Sequence, residues 1–141
     1  MIQLVDDKVL SELLQGRAAP HPQPDQAVFT TGCWYVRLCQ AAFSSEISGV
    51  LSDAFRQLPP HLRSRAMESL LDLPTEIGLV SLRTLAPLIG QLRNRHRQLN
   101  LLSIEALAAA VHLDADVWLS TPSPRLQEAL VTEGREAVIV I

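Results

Sequence analysis

Hydrophobic and polar positions fall into two kinds of block along the chain. Short, nearly continuous apolar runs read as strands at Ile2–Val5, Ala27–Thr30, Ile77–Val80, Asp116–Leu119 and Ala137–Ile141. Between them, apolar residues recur three and four positions apart, which is the helical period. Lys8–Gln15 carries Val9, Leu10, Leu13 and Leu14 at that spacing, and Gly16 is its stop. Thr31 can cap a helix running through Trp34, Leu38 and Ala41–Ala42. Ser44 or Ser45, followed by Glu46, opens another to about Leu58, where Pro59–Pro60 breaks it. His61–Leu71 is amphipathic, with Leu62, Ala66, Leu70 and Leu71 on one side, and Pro74 closes that segment. Leu82–Gln98 has Leu85, Leu88, Ile89 and Leu92 as its inner stripe. Ser103 is the expected cap of an alanine-rich helix over Ile104–Leu113. Pro122 opens a last helix through Leu126 and Leu130, which Gly134 ends. Residues 17–26 hold three prolines in a polar stretch and read as a loop.

Strands that are apolar throughout are buried on both faces, and strands that alternate with helices pair in parallel. The predicted fold class is therefore α/β: a three-layer α/β/α sandwich with a central parallel five-stranded sheet, one domain over residues 1–141. Ligands of such sheets sit beyond the carboxyl ends of the strands. That singles out Asp6, Asp7 and Lys8, then Thr30 and Thr31, Ser81, and Ser120, Thr121 and Ser123.

Composition narrows the function classes. Apolar residues make up 48% and charged residues 19%, too apolar for a disordered chain. Aromatics are only 4%, so the core must be aliphatic. A net charge of −3 excludes a strongly basic nucleic-acid wrapper but not a local basic patch. Lys8 is the only lysine, so the basic chemistry is arginine chemistry. Cys33 and Cys39 form no Cys-x-x-Cys pair, and the histidines at 21, 61, 96 and 112 are scattered, so neither a zinc set nor a disulfide framework is expected. No signal peptide is expected, and no run approaches the roughly 18 apolar residues of a membrane span. The expectation is a cytoplasmic protein with reduced thiols and no membrane contact.

Asp6 and Asp7 follow the first strand, where a carboxylate either holds a divalent cation or caps the next helix. Glu105 stands in the first turn of the alanine-rich helix, where an acid complements the helix dipole. Asp114 and Asp116 flank the fourth strand as a solvated Asp-x-Asp turn. The cluster Arg93, Arg95, His96 and Arg97 is the main basic feature. With Arg93 and Arg97 one turn apart, it either contacts phosphates or ends a helix in solvent. Glycine-rich phosphate loops and a Gly-x-Ser-x-Gly elbow are absent.

Two stretches, Leu4-Val5-Asp6-Asp7-Lys8-Val9-Leu10 and Ser103 to Leu126, together with element order and length, resemble the PIN domains of VapC-type toxin ribonucleases. That family gathers three or four acids at the strand ends to hold magnesium or manganese, whose chemistry is to activate water against an RNA phosphodiester. Carried over by resemblance, the first acid falls on Asp6 and the third on Glu105. The second position holds Arg37 and the fourth Ser123, just past Thr121, while Lys8 replaces a small polar residue. Glu46 is a further candidate for the second acid. A degenerate site follows, in which Arg37, with Lys8, is expected to pair with Asp6 and Glu105 in place of a metal, since arginine binds carboxylates through a planar fork.

Two functions follow from the resemblance. One is a non-catalytic module binding nucleic acid, through residues such as Arg93 and Arg97, or protein, with no cofactor. The other is a magnesium- or manganese-dependent endoribonuclease of the toxin type, using Asp6 and Glu105 with Ser123 and Thr121. The implied partners are a second copy in a homodimer, RNA and an antitoxin protein.

Overall fold

Leu4 and Val5 are neighbours in sequence but serve opposite faces of one strand, and both are fully buried. That strand, β1 (Ile2–Val5), is the centre of the sheet. The computed structural model describes residues 2–16, 27–43 and 57–140. After β1 come α1 (Asp7–Leu14), β2 (Ala27–Thr30), α2 (Gly32–Phe43), α3 (Pro60–Leu71) and β3 (Ile77–Leu79). The second half adds α4 (Leu82–Arg93), α5 (Leu101–Leu113), β4 (Asp116–Leu119), α6 (Pro124–Thr132) and β5 (Ala137–Ile139).

The five strands lie in the order β3-β2-β1-β4-β5 and every pairing is parallel. Parallel neighbours need crossovers, and the helices supply them. Leu4 packs on one face with Leu85 and Leu92 of α4, Ile104 and Leu107 of α5, and Leu126 and Leu130 of α6. Val5 packs on the other with Val9, Leu10 and Leu14 of α1, Leu38 of α2, and Ala66 and Leu70 of α3. The expected three-layer α/β/α sandwich is thus the observed architecture. Each fully buried leucine of this kind contributes roughly 2 kcal/mol. Among the described residues no helix is long and apolar enough to cross a membrane.

The alanine-rich α5 is buried from Ile104 through Ala110 without interruption. A helix that is apolar all round belongs in the interior. Its alanines let the sheet and the neighbouring helices approach closely, and they carry Glu105 inside with them.

Several boundaries differ from the sequence reading. The helix expected over 82–98 ends at Arg93, and the alanine-rich α5 starts at Leu101 rather than Ile104. Asn100, not Ser103, caps α5: its side chain accepts the Ser103 N–H at 2.9 Å. The last helix opens at Pro124 rather than Pro122, with Ser123 in the capping position. Thr31 caps α2 as expected, its hydroxyl accepting the Trp34 N–H at 3.2 Å. Gly78 answers a steric demand, since a Cβ there would run into the Phe29 ring on β2. The expected loop at 17–26, the helix opening at Ser44 or Ser45, and Glu46 lie outside the described residues.

Candidate functional site: the acid pocket at the switch point

Chain progression reverses at β1: β2 and β3 extend the sheet to one side, β4 and β5 to the other. The crevice at that reversal, beyond the carboxyl ends of β1 and β4, is where parallel α/β sheets place their sites. Asp6 stands at the end of β1 and Ser120 at the end of β4.

Asp6 is buried, and both of its carboxylate oxygens are engaged. Oδ1 accepts the Val9 N–H at 3.0 Å, which caps α1. Oδ2 accepts the Ser120 amide N–H and the Ser120 hydroxyl, each at 2.7 Å. The Asp6 amide in turn donates to the Trp118 carbonyl at 3.1 Å. One side chain therefore ties β1 to α1 and to the strand beside it.

Asp7 takes the first position of α1 and is also buried. Its Oδ1 accepts the Lys8 amide N–H at 2.9 Å. Its Oδ2 lies 3.3 Å from Arg37 Nε, an ion pair without hydrogen-bond alignment. Burial raises the Asp7 pKa; Arg37 pulls it down and Asp6 pushes it further up.

Glu105 is fully buried. Its Oε1 accepts the Cys33 N–H at 2.7 Å, so it satisfies one of the free amides at the start of α2 from a different helix. Oε2 faces Gly32 and has no hydrogen-bond partner among the described residues. Burial, with the nearby Glu105 carboxylate, pushes the Cys33 thiol up to about 11. At neutral pH this cysteine is a thiol and not a nucleophile. Thr30 completes this floor, donating its hydroxyl to the Val5 carbonyl at 2.9 Å.

The expected pairing of Arg37 with Asp6 and Glu105 is therefore corrected. Arg37 reaches Asp7, and its side chain is 56% exposed. The reason is local: Asp6 points its oxygens at α1 and Ser120, and Glu105 points one at the Cys33 amide of α2, which leaves Asp7 as the carboxylate that Arg37 meets. Among the described residues no ion pair involves Lys8. Ser123 is not brought to Asp6 either. Its N–H donates to Gln127 Oε1 at 2.8 Å, at the start of α6, and Thr121 is exposed. The hydroxyl that does meet Asp6 belongs to Ser120, legible in the sequence only as a residue directly following a strand.

Among the described residues no three His, Cys, Asp or Glu side chains are grouped so as to hold a metal ion.

Against solved structures, the chain is similar to one in the 2.2 Å structure of VapBC-1 from nontypeable Haemophilus influenzae. The TM-score is 0.61, over 99% of this chain and 98% of that one, at 11% identity. The fold is PIN-like. At this identity the likeness is one of fold, and a fold alone does not carry an activity. No protein-family model and no curated protein matches the sequence. The PIN-like sandwich places Asp6, Glu105 and Ser120 at its switch point, while Arg93 and Arg97 lie elsewhere. They do not share a helix face, because α4 ends at Arg93. Arg93 turns its guanidinium onto the Leu99 carbonyl, whereas Arg97 is exposed.

Proposed function

We propose that this protein is a non-catalytic PIN-like module that binds nucleic acid or protein, with an acid pocket retained as structure. One observation carries the reading: every oxygen of Asp6 and one of Glu105 accepts backbone or hydroxyl protons that hold neighbouring elements together. These are hydrogen bonds to carboxylates, each contributing roughly 1.5–3 kcal/mol.

Magnesium and manganese, which the resemblance implies, are a poor match to this donor set. Magnesium keeps several waters and takes hard oxygens in octahedral geometry. Glu105 is closed to water, Asp6 already accepts three hydrogen bonds, and the second and fourth acid positions hold Arg37 and Ser123. Glu105 Oε2 has no hydrogen-bond partner among the described residues, and it faces the Gly32 backbone and not an open, hydrated site. The partners this reading implies are RNA, a second copy of the chain, or an antitoxin-like protein.

Urea unfolding of the wild type and of Asp6→Asn, each with and without magnesium, tests it. An amide cannot accept from both Val9 and Ser120 as the carboxylate does, so Asp6→Asn should cost about 1–3 kcal/mol. The loss should be the same with and without the metal. Removing a metal ligand would behave differently, because relief of carboxylate repulsion leaves the metal-free protein as stable or more so. A wild type stabilised by magnesium, with that gain lost in Asp6→Asn, would restore the nuclease reading.

A further inference from the structure

The cationic side chains between 93 and 97 divide into those with partners and one without. Arg93 is committed to the Leu99 carbonyl. Arg95 donates to Glu133 at 2.9 and 3.3 Å, and His96 Nε2 lies 2.7 Å from the same carboxylate. Arg97 is exposed and has no ion pair among the described residues.

Arg97 lines a surface cavity of about 350 Å³ between the 94–99 turn and α6. The α6 wall consists of Arg125, Glu128, Ala129 and Thr132, spaced as one face of a helix. Arg125 is also exposed and has no ion pair among the described residues, not even with Glu128 three positions on. A second cavity of about 470 Å³ shares Gln98, Leu99 and Arg125 and continues toward Ser103 and Ser123. Arg125 thus stands where the two meet.

Arg125 breaks a local rule. It is the second residue of α6, where the helix dipole is positive and an acid would be favoured, and no acid is present in that first turn. A residue that violates local preference with nothing nearby to compensate points to a role outside the fold. Two unpaired guanidiniums facing one cavity, in a chain of net charge −3, concentrate positive charge where a bound anion would relieve it. Arg95, its charge offset by Glu133, also lines the cavity. Gln98 supplies a neutral donor, while the Thr132 hydroxyl is spent on the Glu128 carbonyl at 3.0 Å.

We propose that this groove is a phosphoryl-binding site, in which Arg97 and Arg125 grip a phosphate group from opposite walls. Guanidinium groups match phosphate oxygens through paired hydrogen bonds. The cavity volume suits a small phosphorylated ligand of nucleotide or sugar-phosphate size. The site does not depend on how the acid pocket is read, and Glu128 on its wall opposes the anion.

Calorimetric titration of the full chain at fixed ionic strength tests the site. The probes are adenosine monophosphate, adenosine, inorganic phosphate and a short single-stranded oligoribonucleotide lacking a terminal phosphate. The chains are the wild type, Arg97→Gln, Arg125→Gln and Glu128→Gln, all at exposed positions. The expected result is saturable binding of a phosphate-bearing probe and none of adenosine. Each arginine variant should weaken it about tenfold or more, and Glu128→Gln should strengthen it. Binding of the monophosphate or of inorganic phosphate makes a free phosphate group the source. Binding of the oligonucleotide alone, with the same dependence on Arg97 and Arg125, makes the source a phosphodiester backbone. No saturable binding of any phosphate-bearing probe, or binding that both arginine variants leave unchanged, would overturn the proposal.

Discussion

At the scale of single residues, a carboxylate at the end of a central strand has two employments open to it, a cation or a set of amides. In Asp6 and Glu105 the amides have the oxygens. Asp6 holds α1 and β4 through Val9 and Ser120, and Glu105 holds the start of α2 through Cys33. The Cys33 thiol reports on this arrangement, because burial and the Glu105 carboxylate together lift it to about 11. Glu105→Gln removes the negative charge and should lower the Cys33 pKa. Alkylation of Cys33 by iodoacetamide at pH 8, followed by peptide mass analysis, should then run faster in the variant than in the wild type. An unchanged rate would mean that the carboxylate does not lie against the thiol. The candidate acids were legible from the sequence, since strand ends and first helical turns are readable positions. Their partners were not. Asp6 and Asp7 are neighbours and both buried, and no spacing rule says which of them Arg37 reaches, so the expected pairing with Asp6 and Glu105 gives way to one with Asp7.

At the scale of elements, the pattern of continuous apolar runs and helical stripes located all five strands and the helices that cover them. The largest error was the unbroken helix over 82–98. Its stripe runs through Leu92, but His96 and Leu99 turn back onto the fold, and the chain is recapped at Asn100. Asn is as good a cap as Ser, so residue type alone does not favour Ser103 over a position three residues earlier. Asn100→Ala should cost about 1 kcal/mol in denaturant unfolding, while Ser103→Ala should be close to neutral. The turn between α4 and α5 is tied to the end of α6 by Arg95, His96 and Glu133, a tether between residues 37 and 38 apart that no local pattern announces. Arg95 and His96 hold the Glu133 pKa below its ordinary 4.5. A depressed carboxylate stabilises the folded state above its unfolded pKa, and that contribution is lost as pH falls through the folded value. Wild type should therefore be more stable than Glu133→Gln at neutral pH, with the difference closing as pH falls below 4.5. A constant difference from pH 7 to pH 3 in thermal melts would contradict the tether.

At the scale of the whole molecule, the strand order brings β1 and β4 together at the point where chain progression reverses. In this fold class that crevice is the natural seat of a site. Here its acids are engaged by the helices and strand end around them. Arg97 and Arg125, without ion pairs among the described residues, line a groove beside α6. The sequence foretold the sandwich, because that depends on apolar periods at readable positions. It did not foretell that Arg93, Arg95 and His96 are internally satisfied while Arg97 and Arg125 are left over, because that division depends on which long side chains fold back. On the proposed reading, the Asp6 oxygens at the switch point are spent on hydrogen bonds and take no divalent cation. The most direct test is calorimetric titration of the chelator-stripped protein with manganese, with Asp6→Asn as the control. The claim expects no saturable binding up to millimolar metal in either protein. Stoichiometric binding in the wild type that vanishes in Asp6→Asn would contradict it.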